Sequence, residues 1–369
     1  MILENLSLVN FKNYESAEIT FSEKINCFIG NNGSGKTNML DAIHYLSLCK
    51  SYFNSSDSLN IRFGNDFFVI EGKFANTDNS TEEIYCGFKR NAKKMFKRND
   101  NEYDKLSDHI GLIPLIVITP SDNILITEGS EERRKLVDSI ISQYNHKYLE
   151  YLIKYNKSLV QRNKLLKEFS NGMPFNSELL ETYNVQLAMY GVFLFETRQK
   201  FFVEYLPIFN HYYQYISGDL EKVEIEYESQ LHEGNFEDLL TTATNKDRAM
   251  EYTTVGIHKD DFIFKIDQNS LKKIGSQGQQ KTFLVALKFA EFEFISKSQS
   301  TVPLLLLDDI FDKFDSERVK KIIQLVADNK FGQIFITDTN AGRIDDIIRS
   351  LSIPYKLFRM SKGTINEEK

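Results

Sequence analysis

Three short runs in this chain of 369 residues carry residue types and spacings suited to a polyphosphate. The first is Gly30-Asn31-Asn32-Gly33-Ser34-Gly35-Lys36-Thr37, which fits the spacing G-x-x-x-x-G-K-[ST] of a phosphate-binding loop. Its glycines let backbone N–H groups curl around phosphate oxygens with no Cβ in the way, and the following helix adds the positive end of its dipole. Lys36 is placed to reach the β- and γ-phosphates and Thr37 to hold Mg²⁺ through its hydroxyl. The second run, Val302-Pro303-Leu304-Leu305-Leu306-Leu307-Asp308-Asp309, is apolar without a break and ends in two acids. A strand apolar on both faces is a buried parallel strand, and acids at its carboxyl end sit where α/β sheets bind ligands. Asp308 is expected to support Mg²⁺ with Thr37, and Asp309 to orient an attacking water; an acidic cap on the next helix would look the same in sequence. The third run, Ser276-Gln277-Gly278-Gln279-Gln280-Lys281, precedes a helical stretch from 282 to about 295. Ser276 can cap that helix and Gly278 allows close backbone approach, so this is a second helix N-terminus suited to phosphate.

The elements that must position these residues are legible on either side. Residues 24–29 read as the strand entering the phosphate loop, and 38–46 as the helix leaving it. Ahead of them, residues 1–30 read as strands joined by a turn; residues 60–118 are β-like, with runs at 67–70, 84–88 and 113–118. From 131 the pattern is helical. Leu152, Tyr155, Leu159 and Leu166, then Leu180, Tyr183, Leu187, Tyr190, Leu194 and Phe201, fall near a 3.5-residue period on either side of the breaker Ser170-Asn171-Gly172-Met173-Pro174. An antiparallel helical hairpin results, each arm on the order of 35–40 residues and ~55 Å long. After Pro207 strands are expected to return, with alternation at 223–227, a helix at 235–250 and a strand at 262–266. Between the last two lies Gly256-Ile257-His258-Lys259-Asp260-Asp261, where a turn shaping the nucleotide-side edge of the sheet is favoured over a metal site.

Composition sets the outer limits. Hydrophobic residues at 41% and charged residues at 26% support a substantial core. A net charge of −7 excludes a general polycation, so nucleic-acid binding would need local basic patches. One such patch is Lys89, Arg90, Lys93, Lys94, Lys97 and Arg98, with no acid among them and a hairpin turn expected at Asn91-Ala92. A phosphate-contact surface and a merely solvated hairpin face are equally compatible with it. Cys27, Cys49 and Cys86 have neither metal nor disulfide spacing. With no signal-peptide pattern at Met1 and no apolar run of membrane-spanning length, a cytoplasmic protein without membrane contact is expected.

Lying between a phosphate loop and an acidic strand end, residues 276–281 resemble the signature of the ATP-binding-cassette class. The resemblance implies that Ser276, Gln277, Gly278 and Gln279 act in trans, each ATP being sandwiched between the phosphate loop of one head and the signature of another. It also implies that Asp312-Lys313-Phe314-Asp315 communicates across such a dimer. A narrower resemblance follows from Asn10-Phe11-Lys12-Asn13-Tyr14, from Thr119-Pro120-Ser121-Asp122 with Gly129, Arg133, Arg134 and Asp138, and from Tyr155-Asn156-Lys157-Ser158-Leu159 with Gln161-Arg162-Asn163. With Gly256, His258, Asp260 and Asp261, and with the signature and the acid pair, these are similar to the RecF family of bacterial recombination mediators.

That family resemblance implies an ATP-dependent repair protein with Mg²⁺, an ATP-induced homodimer, and DNA binding at junctions of single-stranded and duplex regions. It further implies action with RecO and RecR to help load RecA, and a slow, DNA-stimulated ATPase. Lys12, standing for the family's Arg, and Asn13 are implied nucleotide contacts; Lys keeps the charge and loses the bidentate geometry. Ile257 replaces the family's Pro, Lys259 its Arg, and Lys281 the Arg after the signature. Asp309 stands where transporter ATPases carry Glu. No histidine switch follows 333–337; Asp338 and Thr339 stand there without an assigned role.

The reading is therefore an α/β, ABC-ATPase-like head with mixed sheets and an inserted antiparallel helical lobe. Residues 1–130 form the first part of the head, 131–215 the lobe and 216–369 the second part. Lys36, Asp308 and Asp309 are the catalytic candidates, and Lys89, Arg90, Lys93, Lys94, Lys97, Arg98, Arg133, Arg134 and Arg162 the DNA-facing ones, with contacts to phosphate and no base specificity. The competing reading is a generic SMC-like ATPase head acting as a structural DNA-binding or partner-regulating module; the arm is far too short for an SMC protein, and no room is expected for a nuclease domain.

Overall fold

The computed structural model describes residues 1–76, 78, 80–218, 221–299, 301–310, 316–327, 331–339, 342, 354–361 and 363–368. The chain divides into two compact units, Met1–Asp122 with Tyr215–Ser217 and Leu284–Lys369, and Asn123–Gln214 with Gly218–Phe283. The expected segment Asp312-Lys313-Phe314-Asp315 lies outside the described residues.

In the first unit a six-stranded sheet has the order Thr364–Glu368, Tyr355–Ser361, Ile25–Ile29, Ile334–Asp338, Leu304–Asp308, Leu115–Ile118. All pairs are parallel except the hairpin at Tyr355–Ser361 and Thr364–Glu368. The strands Ile25–Ile29, Leu304–Asp308 and Ile334–Asp338 are buried at every position. That is why the apolar run Leu304–Leu307 is continuous rather than alternating. A second sheet, antiparallel, runs Tyr14–Thr20, Ile2–Phe11, Phe67–Ala75, Thr81–Lys89, Met95–Arg98, Asn101–Glu102. The helix Lys36–Leu48 shares one core with both: Met39, Ile43 and Leu46 join Phe74 and Ile84 of the antiparallel sheet and Leu306 and Phe335 of the parallel one. Being covered nearly all round, it carries apolar residues on most faces.

The second unit holds the helices Ser130–Tyr144, His146–Ser170, Ser177–Ser217 and Phe236–Met250 and a three-stranded antiparallel sheet, Asn269–Ser270, Asp261–Ile266, Val223–Glu228. The hairpin tip falls at the expected breaker, and the arms are antiparallel, with Ser158 Oγ donating to Gln186 Oε1 at 2.8 Å and Tyr151 against Tyr190. Three expectations need correction. The first arm is two helices, because Asn145 is extended (φ −128, ψ 90) and its side chain accepts from Tyr148 N at 3.0 Å, starting a new helix. The second arm does not end at Pro207 but runs 41 residues to Ser217. Pro207 deprives only the carbonyl of Val203, a residue 74% exposed, while Phe209, Tyr213 and Ile216 are buried beyond it. Residues 218–283 cluster with the helices rather than with the head, since Tyr227 and Phe262 stack on Phe202.

Buried His109 gives the first unit a sign-definite pH response. Its Nε2 meets Leu46 O at 2.7 Å and its Nδ1 meets the Tyr103 hydroxyl at 3.1 Å. Burial lowers its pKa from 6.5 to about 4. The unfolded chain therefore takes up this proton below about pH 6.5 and the native protein does not until about pH 4, so the stability it contributes is present above 6.5 and lost as pH falls. His109→Asn should flatten that dependence: between about pH 6.5 and 4, the wild-type slope should exceed the variant's by about 1.4 kcal/mol per pH unit, measured by urea unfolding.

Candidate functional site

The strand Ile25–Ile29 delivers the phosphate loop and the helix Lys36–Leu48 leaves it, as the spacing requires. Gly33 (φ +76) has open space where a Cβ would be, the condition for close backbone approach to a ligand. Gly35 is fixed for a different reason. Its φ is +113, and a Cβ would lie 2.6 Å from Asn13 Nδ2 and 2.7 Å from the Tyr14 hydroxyl. These neighbours buttress the loop: the Tyr14 hydroxyl donates to Gly35 O at 2.8 Å, Asn13 Nδ2 to Ser34 O at 3.3 Å, and Asn38 Nδ2 to Asn13 Oδ1 at 2.7 Å. Asn13 thus touches the loop backbone.

A cleft of about 160 Å³ opens beside the loop, lined by Asn32, Gly33, Gly35, Lys36, Thr37, Asn38, Asp308 and Asp309. The parallel sheet brings the acid pair there from the far end of the chain. Thr37 Oγ1 lies 3.0 Å from both carboxylate oxygens of Asp308, and Thr337 Oγ1 donates to Asp308 Oδ1 at 2.6 Å. Burial pushes the Asp308 carboxyl above the usual range; the Thr337 and Thr37 hydroxyls oppose this, and the charge of Asp309 adds to it. Lys36 Nζ donates to Gly30 O at 2.7 Å and Asn31 O at 3.2 Å. Burial lowers its pKa, and the charges of Asp309, Asp308 and Asp338 pull it back.

These residues fit a Mg²⁺-bound triphosphate. The helix starting at Lys36 has no side-chain cap, so its first N–H groups face the loop without one. Ser34 Oγ is buried without a hydrogen-bond partner. One carboxylate and one hydroxyl are hard oxygen donors of the kind Mg²⁺ takes when phosphates and water complete its shell. Among the described residues no group of three or more His, Cys, Asp or Glu is arranged to hold a metal by itself.

Lys12 does not line this cleft. Its Nζ lies 2.5 Å from Asp41 Oδ2, and Asp41 also receives Ser51 Oγ and Tyr52 N. In the second unit, Ser276 and Gln279 close a reciprocal capping box on the helix Gln277–Ser298: Gln279 N donates to Ser276 Oγ at 3.2 Å and Ser276 N to Gln279 Oε1 at 2.7 Å. Gln279 Nε2 also donates to Glu221 Oε1 at 2.8 Å. Ser276 and Gln277 are exposed; Gly278, whose carbonyl accepts from Thr282 Oγ1 at 2.9 Å, is half-buried.

The basic run divides. Asn91 (φ 63) makes the expected turn, and Lys89, Arg90 and Lys93 are exposed beside it. Lys94 turns inward onto Cys49 O at 2.7 Å and Asp57 at 3.0 Å, Arg98 binds Glu82 with two nitrogens, and Lys97 lies over the Tyr85 ring. Strand pairing brings in acids that a local sequence window does not contain.

Arg133, Arg134 and Arg162 are corrected outright as surface residues. Arg133 makes a bidentate pair with Asp261, and Arg134 donates to Asp260 O at 2.6 Å. Arg162 is fully buried, 2.7 Å from Asp247. The turn at 256–261, expected to shape the edge of the nucleotide-side sheet, belongs to the second unit and is bonded within it. Arg198 bridges Asp260 and Asp138, and His258 lies between the Tyr155 hydroxyl and Thr253 O, its pKa lowered to about 4 by burial. Thr337 is the site residue that motif spacing missed; its only sequence signal is its place at the end of a second buried apolar strand. Arg162→Ala should lower stability by about 3–5 kcal/mol in chemical denaturation, because the charge of Asp247 is left buried without its partner.

The model of the RecF/RecN/SMC N-terminal domain family matches residues 2–363. A protein of Bacteroides fragilis named DNA replication and repair protein RecF is 50% identical over 367 residues, covering 100% of this chain and 98% of the relative. A protein of the same name from Flavobacterium johnsoniae is 51% identical over 360 residues, covering 98% and 100%. Among solved structures, the recombination mediator protein RecF with ATP, of the RecFOR pathway, superposes with TM-score 0.90 at 29% identity, covering 100% of this chain and 98% of that one. An Smc head bound to the C-terminal winged-helix domain of ScpA shares the fold, with TM-score 0.60 at 16% identity. Among the described residues no helix is long and apolar enough to cross a membrane.

Proposed function

The chain belongs to the RecF family of DNA replication and repair proteins, and from that premise we propose that it is an ATP-gated DNA clamp. The observation that carries this is the meeting of Thr37 with Asp308 at the mouth of the phosphate loop. Backbone N–H groups of residues 33–37 and the Lys36 ammonium bind the phosphates, Lys36 exchanging the carbonyls of Gly30 and Asn31 for phosphate oxygens. Thr37 and Asp308 would hold Mg²⁺, which would supply positive charge to neutralise the phosphates. Asp309 orients water, and its short side chain suits slow hydrolysis that resets rather than drives the switch.

The cleft is lined by residues of the phosphate loop, its helix start and the acid pair, which fit phosphates and a cation; the likeness to the ATP-binding-cassette class supports a second molecule covering the rest of the nucleotide. The exposed Ser276, with Gln277, Gly278 and Gln279, is the surface offered to that second molecule's nucleotide. Lys89, Arg90 and Lys93 contact DNA phosphates; their surface partners Asp66 and Glu102 stand 4.0 and 3.9 Å from Arg90 and Lys93 and compete weakly. Contacts of this kind select the shape of a junction without reading bases. RecO, RecR and, through them, RecA are the proposed partners, in the cytoplasm.

Sedimentation of the whole protein tests this. The wild type should dimerise only with ATP and Mg²⁺, more so with gapped DNA. Ser276→Arg should stay monomeric while binding ATP within about threefold of wild type, and Lys36→Ala should lose at least about tenfold in ATP affinity, the cost of a charged hydrogen-bond donor. A wild type that remains monomeric with ATP and DNA together would sink the clamp.

A further inference from the structure

Thr337 is the penultimate residue of the strand Ile334–Asp338 and is fully buried. In the parallel register it stands directly beside Asp308. Its hydroxyl makes two directed bonds: the hydrogen goes to Asp308 Oδ1 at 2.6 Å, and the oxygen accepts Asp309 N at 3.0 Å. Asp309 N also lies 3.2 Å from Thr337 O. This holds Asp309 in the left-handed region, at φ +48, where a non-glycine residue is strained and persists only when its surroundings fix it. One buried hydroxyl therefore sets the carboxylate of Asp308 and the backbone of Asp309 at once.

We propose that Thr337 is the positioning residue for both acids of the site. Asp308 has two hydroxyl partners, and they are not equivalent. Thr37 is itself a candidate Mg²⁺ ligand, so its bond to Asp308 is replaced when the cation is held. Thr337 lies behind the carboxylate on a neighbouring strand, outside the residues lining the cleft, so its bond is independent of the cation. It keeps Asp308 oriented after Thr37 changes partner. Partners of this rank contribute about 10- to 100-fold to metal affinity. Valine at 337 keeps the branched shape that a strand favours and removes only the hydroxyl.

The inference rests on the nucleotide-binding reading, and a fluorescent ATP analogue titrated with and without Mg²⁺ separates the two. Thr337→Val should bind the analogue without Mg²⁺ within about twofold of wild type, while the Mg²⁺ concentration for half-maximal tightening rises about 10- to 100-fold. Thr337→Ser, which restores the hydroxyl, should return within about threefold of wild type. ATP hydrolysis by Thr337→Val at saturating Mg²⁺ should lose kcat with KM unchanged, because Asp309 has lost a backbone anchor. A folded Thr337→Val with wild-type Mg²⁺ response overturns the assignment, as does a Thr337→Ser that fails equally. If Thr337→Val does not fold, Thr337→Cys, similar in size and a weak donor, is read by the same criteria. A wild type showing no Mg²⁺-dependent nucleotide binding overturns the nucleotide reading, and this inference with it.

Discussion

A hydroxyl and a carboxylate separated by 271 residues, those of Thr37 and Asp308, meet at 3.0 Å. Neither could be placed by its own neighbours. Thr37 is held by the helix Lys36–Leu48, and Asp308 ends a strand two places away in the parallel sheet, with Ile334–Asp338 between them. The continuous burial of these strands is what makes the placement stiff. The one polar residue inside the strand Ile25–Ile29, Asn26, has its desolvation offset by Ser22, which donates to its Oδ1 and accepts from its Nδ2, and a slip of one residue would turn each side chain to the opposite face. The loop is braced from the antiparallel sheet as well, through Asn13 and Tyr14, so a single core serves both the strand ends and the glycine turn.

The second unit solves a different problem. Its helices and small sheet enclose two guanidinium groups, Arg162 and Arg198, with carboxylates supplied from distant segments: Asp247 for the first, Asp138 and Asp260 for the second. Hydroxyls of Thr253 and Tyr148 add to these contacts, while Arg162 Nη2 and Asp260 Oδ1 stay buried without a hydrogen-bond partner. Pairs this deep add little net stability over an apolar core, but each removes alternatives, because any other packing leaves a buried charge alone. Such a unit is specified more by what it forbids than by attraction.

Much of the local structure was legible because phosphate chemistry ties residue type to spacing: a strand enters residues 30–37 and a helix leaves them, a buried strand ends at Asp308, and a helix follows Ser276. Helix existence was legible too, from the periods of Tyr155, Leu166, Leu187 and Leu194. What was not legible depends on tertiary partners. The basic run read as free charge because its acids, Glu82, Asp57 and Glu102, arrive by strand pairing or from other segments. Arg162 read as surface because a charged residue on a helix normally is, and its partner is 85 residues away. Pro207 read as a terminus because local propensity says so, but an exposed proline in a helix anchored by aromatic residues is tolerated. Thr337 belongs to no motif, and only the register of two parallel strands reveals it.

The capping box at Ser276 has a further consequence. Its hydroxyl oxygen already accepts the N–H of Gln279, so the accepting side is engaged by its own helix. Its hydrogen is still available to donate, backed by the positive end of the helix Gln277–Ser298. Such a group ranks visitors by the negative charge on their oxygens rather than by shape. A terminal phosphate and the same nucleotide lacking it differ in just that quantity, so in the proposed dimer a cap whose first duty is to start a helix would also tell fuel from spent product.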